Sequence, residues 1–173
     1  FEAALKNYSL LLKRGIFEAP IVQESLLFAV LSNDLEAVHN LSKIVEEQGI
    51  KIPTLGLISL VKYYKNKDFK KAQSVLSEYQ KSLPAYLITI SNGWIEIANG
   101  SLTQGIEIFS SLDGSSRYLG LYNCAVAFAL VGEFQRALLY VEQLEESKLK
   151  FDEMQVRALA QIYSRNNMND KAV

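Results

Sequence analysis

The apolar positions of this chain are organised by a recurring local pattern. An aromatic residue or leucine is followed, two or three positions later, by a small residue that opens a helical run of apolar positions. The instances are FEAAL from Phe1, DLEAV from Asp34, DFKKA from Asp68, SLTQG from Ser101, EFQRA from Glu133 and MNDKA from Met168. Anchored on the small residue, they give Ala4, Ala37, Ala72, Gly105, Ala137 and Ala172, at spacings of 33, 35, 33, 32 and 35. With Val38 in place of Ala37 the first two spacings become 34 and 34. A period of this length is that of one helix-turn-helix unit, with small residues where its two helices come closest.

The residues before each anchor read as a first helix ending in a turn: Asn33-Asp34, Asn66-Lys67-Asp68, Asn99-Gly100, Val131-Gly132 and Asn166-Asn167. Asn and Gly tolerate the left-handed backbone that ends a helix, so these are chemically sensible breaks. Twelve residues before the anchors stand Ser25, Leu60, Gly93, Ala125 and Ala160, and nine before stand Phe28, Tyr63, Glu96, Phe128 and Tyr163. Four of the first set are small and four of the second aromatic, and that spacing puts both on one helical face, the small one admitting the partner helix and the ring filling the gap beside it.

Small and aromatic residues at these intervals resemble the tetratricopeptide repeat. Pro84, twelve residues after Ala72, stands where that repeat often carries a proline. The resemblance implies an all-α, right-handed α–α superhelix running through the whole chain as one solenoid. Its units would be 20–52, 53–85, 86–117 and 118–152, with partial units at 1–19 and 153–173. Three positions depart from the pattern: Glu96 replaces an aromatic, Gly105 an alanine, and Asn169 an aromatic or leucine. The unit around Gly105 is therefore expected to be the least regular. More loosely, GWIEIANGS from Gly93 and RYLGLYNCAVAFALVGEFQRA from Arg117 are similar to a group of uncharacterised exported bacterial tetratricopeptide proteins. Neither terminus resembles a polar capping unit, so the sequence reads as a fragment whose ends adjoin further protein or a partner.

In a solenoid of this kind the first helix of each unit lines the concave side, through residues about fifteen, eleven and eight before the anchor. These are Leu57, Val61 and Tyr64, then Ile90, Trp94 and Ile97, then Tyr122, Val126 and Ala129. All are apolar or aromatic, whereas the last unit has Arg157, Gln161 and Ser164. A large exposed apolar face commonly marks an interaction site. One reading is a groove for a peptide or helical segment, with Leu57, Val61, Tyr64, Ile90, Trp94, Ile97, Tyr122 and Val126 as its surface and Trp94 as anchor. The other is that adjacent first helices bury these side chains against one another. The carboxylate clamp known in this family needs Lys, Asn and Arg on successive first helices, and here only Asn123 and Arg157 are polar candidates.

Charge and composition narrow the remaining chemistry. The net charge is −1, from 18 basic and 19 acidic residues, and gives no global attraction to phosphate or to an anionic membrane. The longest uncharged run, between Arg117 and Glu133, has 15 residues, short of the roughly 20 that span a bilayer, so no membrane insertion is expected. No targeting signal is visible behind Phe1, and both a cytoplasmic and an exported (periplasmic) location stay open. The single cysteine, Cys124, excludes an internal disulfide and a multi-thiolate metal site, and its apolar surroundings predict a packing role. His39, the single histidine, falls about 200° around the helix from Ala37 and is expected to face solvent. Glu46, Glu47, Glu142, Glu145 and Glu146 read as solvated helix faces, and no glycine-rich phosphate loop is present.

The expectation is a non-enzymatic scaffold, without cofactor or metal, that holds a protein or peptide partner. A self-associating solenoid is the alternative. A further alternative is RNA binding, because KLKFDEMQVRALAQIYSRNNMNDKA from Lys148 resembles a pentatricopeptide unit and Lys62, Lys65, Lys67, Lys70 and Lys71 cluster around Tyr63 and Tyr64. Those repeats read bases with polar groove residues, where this chain has Leu57, Ile90, Tyr122 and Arg157, so no nucleic acid is expected.

Overall fold

A computed structural model describes residues 2–147 and 151–171. Among them the chain is all-α, as expected, with ten α-helices and no strand. They are α1 (Glu2–Lys13), α2 (Ala19–Leu31), α3 (Leu35–Glu47), α4 (Pro53–Lys65), α5 (Phe69–Glu78), α6 (Ala85–Ala98), α7 (Leu102–Ser110), α8 (Arg117–Leu130), α9 (Phe134–Glu146) and α10 (Glu153–Arg165). Short 3₁₀ turns occupy Gly114–Ser116 and Asn169–Lys171. The helices form two compact units, Phe1–Leu83 with α1–α5 and Pro84–Val173 with α6–α10.

Helices α2, α4, α6, α8 and α10 end in the same way as α1 and α3, whose closing glycines Gly15 and Gly49 take φ of 79° and 66°. Asn33, Lys67, Gly100, Gly132 and Asn167 take φ of 54°, 55°, 94°, 82° and 61°. The next N–H then reaches back to a carbonyl five residues earlier: Asp34 to Ala29, Asp68 to Tyr63, Ser101 to Glu96, Glu133 to Phe128 and Met168 to Tyr163, all at 2.9–3.0 Å. This Schellman closure satisfies carbonyls that a helix end would otherwise leave open. The following helix starts at once. Asp34 and Asp68 cap α3 and α5 by accepting from Ala37 N–H at 2.9 Å and Lys71 N–H at 3.2 Å. Asp152 and Gln155 make a reciprocal capping box on α10, with bonds of 2.9 and 3.0 Å.

The repeated anchors hold one structural position. Val38, Ala72, Gly105 and Ala137 are each the fourth residue of their helix, and each N–H donates to the carbonyl of the residue preceding that helix, at 3.0–3.1 Å. Val38, not Ala37, is thus the equivalent of the others. Ala72, Gly105 and Ala137 are buried. Ala172 lies outside the described residues, as does the side chain of Ala4.

In the first unit the core forms around Val22, Leu26, Leu41, Val45 and Leu55. Ser25 is buried there, and its hydroxyl donates to the Ile21 carbonyl at 2.7 Å. In the second unit, glycines set how closely helices approach. A Cβ on Gly105 of α7 would stand 2.8 Å from the Gly93 carbonyl oxygen of α6, and one on Gly93 would enter the Phe109 ring. Phe109 is fully buried, and its carbonyl oxygen lies directly against Gly120 of α8. Burying such a ring contributes on the order of 3 kcal/mol. Helix α7 has 9 residues and is followed by the 3₁₀ turn.

Candidate binding surface

The eight residues of the predicted surface lie on α4 in the first unit and on α6 and α8 in the second. On α4, Leu57 and Val61 are 38% and 68% exposed. They are one turn apart on one face, an arrangement that leaves two aliphatic side chains in water. Tyr64 is half-buried and meets Phe69 edge-on, with ring centroids 5.9 Å apart.

On α6 the environment differs. Ile90, Trp94 and Ile97 are half-buried and pack against a cluster made by Phe109, Cys124 and Ala127. The Trp94 ring lies 5.3 Å from that of Phe109, and its indole Nε1–H donates to Asn123 Oδ1 at 2.7 Å. Asn123, 8% exposed, in turn donates from Nδ2 to the Leu119 carbonyl at 2.8 Å. This buried amide is therefore engaged within the fold, and Arg157, the other polar candidate, pairs with Glu153.

On α8, Tyr122 is half-buried against the neighbouring core, and burial raises its phenol pKa, with the Asp152 carboxylate acting in the same direction. Val126 lines a crevice of about 130 Å³ with Ala129, Leu130, Phe134, Ala158, Gln161 and Ile162. Leu130 is 70% exposed at this crevice. Sequence reasoning did not single out Leu130, Phe134, Ala158 or Ile162; the signal that could have found them is their position at the end of α8, the start of α9 and the facing side of α10, which a one-helix wheel does not combine.

The remaining chemistry is dispersed. His39 and the acidic residues Glu46, Glu47, Glu142, Glu145 and Glu146 are exposed. The Tyr163 hydroxyl and the Lys171 ammonium, the latter 3.1 Å away, hold the Glu145 carboxyl below its ordinary pKa. The five clustered lysines are exposed, but Lys71 pairs with Asp68 at 2.7 Å, and Lys62 and Lys71 stand 5.9 and 5.7 Å from the Tyr63 ring centroid. Among the described residues no group of three or more His, Cys, Asp or Glu side chains is placed to hold a metal ion, and no helix is long and apolar enough to cross a membrane. A larger cleft of about 500 Å³, lined in part by Arg117, Tyr118, Leu121 and Gln143, includes none of the eight residues.

Cys124 is 1% exposed, and burial pushes its thiol from 9.0 up to about 11, only partly offset by the Ser110 hydroxyl 3.7 Å from the sulfur. A rise to about 11 lowers the reactive thiolate about a hundredfold at mildly alkaline pH. Ellman's reagent is therefore expected to modify the folded chain at least about a hundredfold more slowly than the chain in urea. Equal rates would place the thiol at the surface.

No protein-family model matches the chain, and no curated protein matches it in sequence.

Proposed function

We propose that this chain is a non-enzymatic scaffold, a solenoid of tetratricopeptide-like helix pairs, that holds a peptide or helical segment of a protein partner on the apolar faces of its first helices. The observation that carries the reading is the distribution of water-exposed apolar side chains. Leu27, Val30 and Leu31 on α2, Leu57 and Val61 on α4, Tyr86 on α6, Leu130 on α8, and Met154 and Val156 on α10 are all at least 37% exposed. Among the described residues the other helices contribute one each from α1, α3 and α9: Leu10, Leu35 and Leu139. Scattered exposed leucines need no explanation, but their concentration on alternate helices is what a binding face requires. The repeated helix closures and the common placement of Val38, Ala72, Gly105 and Ala137 support the repeat architecture.

Photo-crosslinking from single positions tests this. A benzophenone side chain at Val61, on the exposed face of α4, is expected to form an adduct with a partner in cell extract; the same group at His39, exposed on α3, is not. Equal yields at both positions, or none at Val61, would overturn the reading. An adduct of twice the 19.4 kDa chain mass at Val61 would replace the outside partner by a second copy.

A further inference from the structure

We infer that the crevice between α8 and α10 receives one large apolar side chain of an acidic partner segment, and that Arg165 meets the carboxylate beside it. This rests on the scaffold reading and adds the chemistry of the bound segment.

The crevice walls are apolar apart from the Gln161 side chain. Its volume of about 130 Å³ is close to the ~150 Å³ of an apolar cavity that accepts benzene, so a leucine, methionine or phenylalanine side chain fits. Leu130 stands 70% exposed at its edge, where a seated apolar group would cover it.

The charge comes from α10. Ala158, Gln161, Ile162 and Arg165 recur at helical spacing, so Arg165 continues the helix face that walls the crevice. Its guanidinium lies 5.7 Å from the ring centroid of Phe134, itself a crevice wall. Arg136 and Arg157 each have a carboxylate partner, Glu133 and Glu153; among the described residues Arg165 has none within salt-bridge distance. A cation in the last turn of α10 suits the helix dipole, but the dipole does not explain why it lies over the ring that borders an open apolar crevice.

From Gln161 to Arg165 is one helical turn, about 6 Å of rise. A matching ligand carries its apolar residue and its acid about that far apart, which is three or four residues along a helix or two along an extended strand.

The test is to pan a random-peptide phage library on the whole chain and on its Leu130→Lys and Arg165→Glu variants, both substitutions being at exposed positions and checked for unchanged melting. On the natural chain, enriched peptides are expected to pair Leu, Met or Phe with Asp or Glu at two to four positions. Synthetic peptides of that set are expected to bind Leu130→Lys about tenfold more weakly or worse. On Arg165→Glu the enriched charge is expected to change from acidic to basic. No enrichment, enrichment without the apolar–acidic pair, or equal binding to all three chains would overturn the inference. Enriched sequences matching this chain itself would do so too, since they would make the occupant a second copy. Crosslinking at Val61 tests the broader scaffold reading independently, so a failure here with adducts there removes only this site.

Discussion

Gly120→Ala is expected to destabilise the second unit more than any other single-methyl addition in the chain. The added Cβ would fall inside the van der Waals envelope of the Phe109 carbonyl oxygen, with Leu112 Cβ a further 3.3 Å neighbour. A flexible side chain can move aside, but here the obstacle is backbone whose residue is fully buried. Relief requires α8 to move away from the end of α7. Overpacking of this kind costs about 3 kcal/mol, beyond the ~1 kcal/mol that alanine regains in a helix interior. In a unit of this size the melting temperature is expected to fall on the order of 10 °C. Gly132→Ala is the control: nothing lies within 4 Å of its Cβ, and only the φ of 82° is strained. Its cost is expected to be about 1–2 kcal/mol. Thermal melts followed by circular dichroism compare the two, and a Gly120→Ala melt no lower than that of Gly132→Ala would show that the helices are not in contact there.

Trp94→Glu is the second large effect. The substitution removes the ring that packs on Phe109, withdraws the donor from Asn123 Oδ1, and places a carboxylate beside the Phe109, Cys124 and Ala127 cluster. Truncating a buried large aromatic costs about 3–5 kcal/mol, and an unsatisfied buried amide oxygen adds about 1–3. Because Trp94 is only half-buried, a total of about 3 kcal/mol is expected, read as a lower urea midpoint. Trp94→Phe keeps the ring and loses the hydrogen bond, for about 1–2 kcal/mol. An unchanged midpoint after Trp94→Glu would show that the indole is not held by these contacts.

The helix breaks were legible because they depend on local chemistry. Asn33, Gly100, Gly132 and Asn167 are residues that adopt positive φ readily, and they do. Lys67 does the same with no such preference, and only its place between Asn66 and Asp68 marks it. The choice between Ala37 and Val38 was not decided by residue size; it is decided by which N–H closes the first turn of α3, and that is Val38.

The proposed binding face was legible only as a wheel position. Val61 and Trp94 each stand eleven residues before an anchor, Ala72 and Gly105, yet Val61 stands 68% exposed while Trp94 packs on Phe109 and bonds to Asn123. The difference arises from tertiary neighbours that periodicity does not encode. Asn123 shows the same limit: a polar residue in an apolar run reads equally as a ligand contact or as an internal bond, and its partner lies 29 residues away.

The only tryptophan and the only cysteine of the chain both sit in Pro84–Val173. Indole emission and thiol protection therefore report on that unit alone, while the far-ultraviolet helix signal averages over both. Denaturation curves from the two kinds of probe overlay if Phe1–Leu83 and Pro84–Val173 melt together and separate if they do not, so the native chain carries its own optical means of measuring whether its two halves are energetically joined.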